Sequence, residues 1–476
     1  MEASILQVCN DDAGIICGIY DYTKPLWFSD LSLSIARGNG YPIARDIINN
    51  LRRVDAGLPH QRIENDWTTN ISRLVRSGLN GSGVGYGLAS SRTKAIGEAV
   101  ERFCGRSSLI KYKDKVIFGS FAELKTRFAS VPFNKWINGH SARTDGRSGR
   151  LPFQVDLPTE ADPMSWLVLP AYPSGDAYLC PASLASLGSI RTRNSEPQIA
   201  EQMSTGLACH TSLKTAILSG LCEAIERDAF TGMWMKRLAP HRLNPPSVAS
   251  VSSTVGKMLS EFGRTNLTIH LNDLTSDFDV PVILATITSD SPPYVTMGAG
   301  CHPDVAVAIE KSLAECLMGL AGYSIFNGLK EGKSDASICE GLVGHPEAIA
   351  SMGEHGDIYR QLDLRHELEF FLGAEEIEFD PGNYVATERN GLDEICARCV
   401  EKGYPVIVSD RTVPEVMKAG MSVVKVIVPG LIPLYCREYN KPVQNERLVD
   451  YTSGMIFPRS EHSLSGDVNP VIHPFP

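Results

Sequence analysis

The chain has 476 residues, of which 43% are hydrophobic and 21% charged, and its 45 basic and 55 acidic side chains give a formal net charge of −10. This composition excludes a disordered chain, and the length predicts two or three domains. The net negative charge argues against general affinity for nucleic acid or for an anionic membrane, because both present phosphates that the average surface would repel.

The sequence pattern predicts a cytoplasmic protein. Its first residues, MEASILQVCNDDAG, lack the basic and apolar segments of a secretory signal. The most apolar stretch, 421–436, is interrupted by a lysine, a glycine and two prolines, so we expect no membrane span. The 12 cysteines are scattered through apolar stretches, which is typical of reduced and buried thiols. Cys396 and Cys399 have no second C-x-x-C or histidine pair to complete a zinc site, so we predict buried helix thiols there as well.

Helical and strand-like patterns alternate along the chain. Residues 1–75 mix short apolar runs with polar turns, and we assign them to an accessory region that could dock a partner protein. For the glycine-rich stretch 81–87 we predict a turn rather than a phosphate loop, because no Lys-Ser/Thr pair follows it. Helical patterns cover 91–105, 212–236 and 303–322, and strand-like runs cover 281–288, 404–409 and 422–429. The alternation favours a mixed α/β or α+β domain.

One short pattern, Glu-Ala-(Val/Ile)-Glu-Arg, occurs at 98–102 and again at 223–227. The two copies lie 125 residues apart, far longer than a solenoid repeat, which indicates a duplicated functional helix. Helical residues three apart share one face, so each copy displays two carboxylates along a single ridge. For either copy alone, the alternative is an ordinary solvated helix face with ion pairs.

Two glutamates on a mostly apolar helix are costly to bury unless a cation compensates their charge. Paired carboxylates are ligands that Mg²⁺ accepts together with nucleotide phosphates. The arginine that ends each copy is suited to bidentate contact with phosphate. The duplicated helix therefore predicts a Mg²⁺ and phosphate cleft. In the third helix, Lys311 and Glu315 have i,i+4 spacing, which by itself is typical of a surface ion pair.

Taken together, three segments resemble the YcaO-domain family of ATP-using enzymes that modify the backbone amides of peptides. They are SSRTKAIGEAVER (90–102), STGLACHTSLKTAILSGLCEAIERDAF (204–230) and GAGCHPDVAVAIEKSLAE (298–315), supported by VVKVIVPGL (423–431). The resemblance implies an α+β fold, with mixed or antiparallel sheets packed against helices and an ATP cleft between the two related glutamate-bearing helices. It implies ATP and Mg²⁺ as cofactors, a catalytic domain over 76–440 and a tail over 441–476.

The resemblance also implies functional residues, position by position. The residues expected beside the metal are Glu98, Glu101, Glu223, Glu226 and Glu315. The residues expected to bind ATP are Ser91, Arg102, Thr211, Arg227 and Lys311. The residues expected in catalysis are Arg227, Lys311 and Pro476.

The chain departs from the family pattern at four of its motif positions. Lys311 stands where an arginine is common, and it keeps the charge but loses the planar fork that contacts phosphate directionally. Met318, Thr215 and His210 replace a glutamine, a glutamate and a glycine. Some polar contacts to the nucleotide must then come from elsewhere.

The tail ends in Pro474-Phe475-Pro476, a stretch expected to be stiff and extended. In azoline-forming members of the family, a proline-rich C-terminus places its carboxylate beside the active site. This chain has Ile472 at the first of those prolines, and the alternative is an unstructured end.

The resemblance implies an ATP-dependent cyclodehydratase that converts Cys, Ser or Thr of a ribosomally made precursor peptide into thiazoline or oxazoline, as in bacteriocin biosynthesis. The expected partners are an E1-like (ThiF-like) leader-binding protein and a flavin-dependent azoline dehydrogenase, within a homo-oligomer or hetero-complex. The open alternatives are a thioamide- or amidine-forming enzyme, a non-catalytic scaffold with a degenerate nucleotide site, and an unrelated ATP-dependent ligase.

Overall fold

The computed structural model describes ten stretches of the chain. They are 16–22, 31–38, 81–86, 88–107, 112–137, 154–187, 195–329, 336–384, 391–454 and 456–476.

The described strands form three sheets. The strands are β1 (Ile16–Tyr22), β2 (Leu31–Gly38), β3 (Gly81–Tyr86), β4 (Ile117–Ser120), β5 (Pro163–Tyr172), β6 (Ala177–Pro181), β7 (Leu207–His210), β8 (Arg242–Leu243), β9 (Thr268–Asp273), β10 (Val282–Thr288), β11 (Val295–Cys301), β12 (Glu376–Ile377), β13 (Val406–Asp410) and β14 (Ser422–Ile427). The sheet orders are β1-β2-β3, β11-β10-β9-β8-β12, and β4-β5-β13-β14-β7 with β6 paired to β5. All of these pairs are antiparallel except β8–β12.

Helices pack against these sheets, which confirms the predicted α+β class. The α-helices are α1 (Leu88–Ser107), α2 (Phe121–Leu124), α3 (Leu213–Lys236), α4 (Pro245–Val248), α5 (Ser253–Phe262), α6 (Val305–Leu329), α7 (Ala336–Gly344), α8 (Met352–Gln361), α9 (Glu369–Leu372), α10 (Leu392–Glu401), α11 (Pro414–Lys418) and α12 (Leu448–Thr452). None of the helices in the described stretches has the length and apolar character needed to cross a membrane.

The glycine-rich stretch is a strand, so the predicted turn at 81–87 is wrong. β3 covers Gly81–Tyr86 and pairs antiparallel with β2. The physical reason is the alternation of glycine with Ser, Val and Tyr, which has the two-residue period of a strand. Glycines in a strand mark a close approach of other backbone, and α1 packs directly on β2 and β3. β1 and β2 lie within residues 1–75 and share one sheet with β3.

The three predicted motif helices are the three long helices α1, α3 and α6. α1 packs on β2, β3 and β7, α3 on β7, β14 and β11, and α6 on β11, β10 and β3. α6 lies so close to β11 that a Cβ atom added at Gly298 would be 2.5 Å from the Cys316 nitrogen. These shared strands bring the three helices together.

α3 is also the centre of the largest apolar core. Its Trp234 is fully buried. Cys396 and Cys399 on α10 are also fully buried, which confirms the interpretation of that pair as buried thiols. Just beyond Arg227, the buried Asp228 accepts hydrogen bonds from Arg447 Nε at 2.8 Å and from the Tyr451 hydroxyl at 2.7 Å. This buried ion pair fastens α12 to the helix that carries the second motif.

Candidate active site

α1 presents its two carboxylates to two neighbouring strands. Glu98 accepts hydrogen bonds from the Ser82 backbone nitrogen at 2.7 Å and the Ser82 hydroxyl at 3.1 Å, and it pairs with Arg102 one turn later. Glu101 accepts a bond of 2.8 Å from the Cys209 nitrogen. Each carboxylate is therefore held by a backbone N–H group from a neighbouring strand, β3 for Glu98 and β7 for Glu101.

α3 presents the second pair. Glu223 accepts a 3.0 Å hydrogen bond from the Gly206 nitrogen, and Arg227 lies 3.7 Å from Glu223 and 3.5 Å from Glu226. Gly206 has a φ of +80°, and any Cβ atom there would collide with the Val426 backbone, so the turn that supplies this N–H group requires glycine. Glu226 itself is only 4% exposed.

α6 adds a cation and a fifth carboxylate. Lys311 Nζ donates a 3.2 Å hydrogen bond to the Cys301 carbonyl, which lies at the end of β11. Glu315 follows one turn later and interacts electrostatically with Glu226, Arg227 and Lys311. Lys311 and Glu315 are therefore buried beside Glu226 and are not the surface ion pair that their spacing alone would indicate.

The carboxylates repel one another at this site. Burial raises the pKa of Glu101 to about 8, with further upward contributions from Glu98 and Glu223. Burial followed by the charge of Glu226 raises the pKa of Glu315 to about 7, and burial also raises the pKa of Glu223. These interactions show that the five acids from three helices form one continuous cluster.

Two cations respond to the same cluster. Burial lowers the pKa of Arg227 and of Lys311, because it disfavours their positive charge. Attraction to Glu226 is the largest effect in the other direction, and the net result is that both pKa values are raised. Glu226 therefore interacts with both cations and with Glu315, and it lies at the meeting point of α3 and α6.

The donor set fits the predicted Mg²⁺. Hard carboxylate oxygens are the ligands Mg²⁺ prefers. A divalent cation would offset both the burial and the like-charge repulsion that raise the pKa values of Glu101 and Glu315. The residues that would hold the ion and its nucleotide are Glu98, Glu101, Glu223, Glu226, Glu315, Arg227 and Lys311.

Three residues that were predicted to bind ATP or act in catalysis do not lie within the acidic cluster. Ser91 is fully buried, and its hydroxyl is 2.9 Å from that of Ser34 on β2, so in this structure it joins α1 to the sheet. Thr211 is exposed just before α3, and Pro476 is exposed at the end of the tail. Their expected contacts with nucleotide or substrate stay predictions.

The tail packs against α3, so the alternative of an unstructured end is wrong for this segment. The Phe475 ring is buried, with its centroid 4.6 Å from that of Phe230 and 4.5 Å from the Arg227 guanidinium carbon. Upstream, the Tyr359 hydroxyl donates a 2.7 Å hydrogen bond to the Ile472 carbonyl. The tail thus reaches a residue of the second motif.

Sequence reasoning missed Lys425 on β14. Its Nζ donates a 2.7 Å hydrogen bond to the Met203 carbonyl, and burial lowers its pKa to about 8 while the nearby Glu223 opposes that shift. The available signal was a single lysine within an otherwise apolar strand, because lysine is almost never fully buried without a partner.

A family model described as YcaO cyclodehydratase, ATP- and Mg²⁺-binding, matches residues 82–432. Among curated proteins, the chain is 30% identical over 276 residues to a Rhizobium leguminosarum bv. trifolii protein described as an uncharacterized protein in the tfuA 3′ region. The match covers 54% of this chain and 58% of that relative, so the chain spans little more than half of the relative's length.

Solved structures show the same fold. The chain is similar to a structure described as a heterocyclase in complex with substrate and cofactor, with a TM-score of 0.67, 17% identity, and coverage of 99% of this chain and 57% of that chain. It is also similar to an E. coli microcin synthetase McbBCD complex with pro-MccB17 bound, with a TM-score of 0.56, 15% identity, and coverage of 97% and 98%.

Proposed function

Because the chain belongs to the YcaO family, we propose that it is an ATP- and Mg²⁺-dependent cyclodehydratase acting on a ribosomally made precursor peptide. The observation that carries the proposal is the cluster of five carboxylates on α1, α3 and α6, faced by Arg227 and Lys311. Such a cluster suits a polyphosphate with its divalent cation better than an uncharged ligand.

In the proposed reaction, a Cys, Ser or Thr side chain of the substrate attacks the preceding amide carbonyl carbon. The carbonyl oxygen takes the γ-phosphoryl group of ATP, which releases ADP, and that oxygen then leaves as phosphate. The ring therefore forms with net loss of that oxygen and two protons from the peptide. When bound, Mg²⁺ neutralises charge on the transferred phosphoryl group.

The protein's own contribution is to position the reactants. In this proposal Arg227 and Lys311, which both interact with Glu226, donate charge-assisted hydrogen bonds to phosphate oxygens. The Phe475 ring lies against the Arg227 guanidinium and limits its rotation. The catalytic role of Pro476, as a proton acceptor through its carboxylate, stays a prediction.

We also propose a precursor peptide and partner proteins, namely an E1-like leader-binding protein and a flavin-dependent dehydrogenase that would act afterwards. Support comes from the structural similarity to the microcin synthetase complex, whose description includes a bound pro-peptide. We propose that residues 1–75, of which strands β1 and β2 are described, dock one of these partner proteins.

The experiment incubates the full chain, the partner and a candidate precursor peptide with ATP and Mg²⁺, and measures released phosphate and peptide mass. We expect one phosphate per ring and a product lighter by one water. A product made heavier by exchange of oxygen for sulfur would assign thioamide formation instead, and fragmentation would distinguish an amidine from an azoline. No phosphate release with a peptide that the complex binds would support a scaffold.

A further inference from the structure

The terminal segment, residues 469–476, is held by side chains that bind its backbone carbonyl groups in succession. Lys441 Nζ lies 3.2, 3.4 and 3.5 Å from the carbonyl oxygens of residues 469, 470 and 471. The Tyr359 hydroxyl, on α8, donates a 2.7 Å hydrogen bond to the Ile472 carbonyl oxygen. Four consecutive carbonyl groups therefore have a side-chain donor.

His355, one turn before Tyr359 on α8, faces a carbonyl oxygen with each of its ring nitrogens. Its Nδ1 lies 3.1 Å from the His473 carbonyl oxygen, the next along the terminal segment, and its Nε2 lies 2.7 Å from the Cys436 carbonyl oxygen. A carbonyl oxygen only accepts, so both nitrogens donate, and only an imidazolium ring has two N–H groups. Glu438 Oε1, 3.9 Å from Nδ1, supplies the opposite charge. The geometry therefore indicates that His355 is positively charged although it is fully buried.

The charges around His355 are consistent with this protonation state. The other oxygen of Glu438 lies 2.6 Å from Lys441 Nζ, so one carboxylate pairs with two cations. The His473 ring stacks on His355 with centroids 3.9 Å apart, and its Nε2 donates a 2.9 Å hydrogen bond to the Tyr435 carbonyl oxygen. Burial, followed by the charge of His355, holds the pKa of His473 well below its usual value, so this ring is neutral. The stack therefore contains one positive charge and not two.

The terminal segment connects this arrangement to the candidate active site. The Phe475 ring centroid lies 4.5 Å from the Arg227 guanidinium carbon. We propose that His355, as an imidazolium, is a positioning residue for the terminal segment. Together with Tyr359 and Lys441, it fixes the backbone of the segment. The Phe475 ring is thereby held against Arg227. The effect on catalysis rests on the proposed function, whereas the binding of the segment does not.

A chain end stays ordered only where its contacts offset the loss of conformational entropy. Prolines at 470, 474 and 476 lower that entropy, because each fixes its own φ angle. Hydrogen bonds from charged donors such as His355 and Lys441 are stronger than neutral ones. The alternative is that the burial of Ile472 and Phe475 holds the segment without help from the polar contacts. Removal of the donors distinguishes the two explanations.

The test compares the full chain of the wild type with two variants, without nucleotide. His355→Phe keeps a ring for the stack but removes both donors and the charge, and Tyr359→Phe removes only the bond to Ile472. Hydrogen–deuterium exchange of the C-terminal peptide, followed by mass spectrometry, measures opening of the segment. We expect exchange to be about 10–150-fold faster in His355→Phe, as for a lost charged hydrogen bond, and about 2–10-fold faster in Tyr359→Phe. The matched control, His345→Phe, replaces an exposed histidine lying 3.4 Å from Glu347 and should exchange like the wild type.

The protonation state is measured separately, by NMR of protein that carries ¹⁵N-labelled histidine at neutral pH. The His355 signals are those lost in His355→Phe, and we expect a proton on both ring nitrogens. A His355 ring with a single proton would overturn the proposal. Exchange of the terminal segment that is equal in His355→Phe, Tyr359→Phe and His345→Phe would overturn it as well.

Turnover tests the positioning role. With the precursor peptide and partner of the proposed function, we expect His355→Phe to lower kcat by about 10–100-fold and to change the KM for ATP by less than about threefold, because the carboxylate cluster is intact. Tyr359→Phe should lower kcat less. Wild-type kcat in a variant whose terminal segment exchanges faster would contradict the positioning role. The exchange and NMR measurements need no substrate, so they still decide the binding of the segment by His355 if the chain forms no azoline.

Discussion

At the scale of single residues, the site is dominated by acids that burial makes hard to ionise. Glu101 shows this most clearly, since burial raises its pKa from 4.5 to about 8 although the Cys209 nitrogen stabilises its charge. An acid with a raised folded-state pKa contributes stability that is fully present below its unfolded pKa and is lost as the pH rises through the folded value.

We therefore expect the nucleotide-free protein to lose free energy of unfolding between about pH 4.5 and 8 through this group. Glu101→Gln, which is always neutral, should become more stable relative to the wild type as the pH rises from 6 to 8.5. Urea denaturation of both proteins in Mg²⁺-free buffer measures the difference. A difference that is constant across this range would show that Glu101 ionises normally.

Lys311 stands where an arginine is common in the family. The positive charge of Lys311 is attracted to Glu226. For nucleotide binding, the charge at this position should therefore matter more than the shape of the side chain. We expect Lys311→Arg to bind an ATP analogue with Mg²⁺ within roughly tenfold of the wild type, and Lys311→Met to bind about 10–150-fold more weakly, as for a lost charged hydrogen bond. Equal losses in both variants, measured by calorimetry, would assign Lys311 a role beyond charge.

At the scale of elements, the positions of Lys311 and Glu315 depend on how closely α6 lies on β11. A Cβ atom added at Gly300 would be 2.7 Å from the Ser312 nitrogen on α6 and would also meet the Ala308 carbonyl. Both are backbone atoms of the helix that carries Lys311 and Glu315, so relief requires the helix to move.

Gly300→Ala should therefore lower the free energy of unfolding by about 1–3 kcal/mol, as for an overpacked core. It should also weaken Mg²⁺-dependent nucleotide binding. The matched control is Gly97→Ala on α1, where an added Cβ meets nothing within 4 Å, and which should be neutral or stabilising by about 0.5–1 kcal/mol. Similar stability of the two variants in denaturant titrations would contradict the close approach.

The motif helices were predictable from the sequence because their apolar spacing and paired glutamates are local patterns. Sequence positions 91–105, 212–236 and 303–322 correspond to α1, α3 and α6, whose ends differ by at most seven residues. β3 was missed because its glycines signal turns locally, whereas its pairing with β2 is a tertiary property. Lys311 is buried beside Glu226 instead of facing solvent, which also depends on tertiary packing that i,i+4 spacing does not encode.

At the scale of the whole molecule, distant segments converge on α3. Asp228 pairs with Arg447, which immediately precedes α12, and Phe475 from the tail covers Arg227. These contacts join residues more than 200 positions apart, so sequence patterns predicted neither of them. The resemblance to the YcaO family predicted that the tail lies near the site. The structure shows that its Phe475 contacts Arg227.

The Asp228–Arg447 pair should be essential for stability. The two side chains are 0% and 1% exposed, so Arg447→Met leaves a buried carboxylate without its cation and should cost about 3–5 kcal/mol of unfolding free energy. The control is Lys214→Met, which breaks a 3.5 Å pair with Asp393 whose side chains are 68% and 55% exposed, and which should cost less than about 1 kcal/mol. Comparable losses in urea titrations would show that the buried pair contributes little.

The proposed function requires that the five carboxylates form one Mg²⁺-dependent nucleotide site. The most direct measurement is calorimetric binding of a non-hydrolysable ATP analogue, with and without Mg²⁺, to the wild type, to Glu226→Gln, and to the control Glu401→Gln on the exposed side of α10. We predict binding that requires Mg²⁺, is retained in Glu401→Gln, and falls by orders of magnitude in a folded Glu226→Gln, because the amide keeps the volume but removes a charge that balances the ion. Binding that is independent of Mg²⁺, or equal in all three proteins, would contradict the claim.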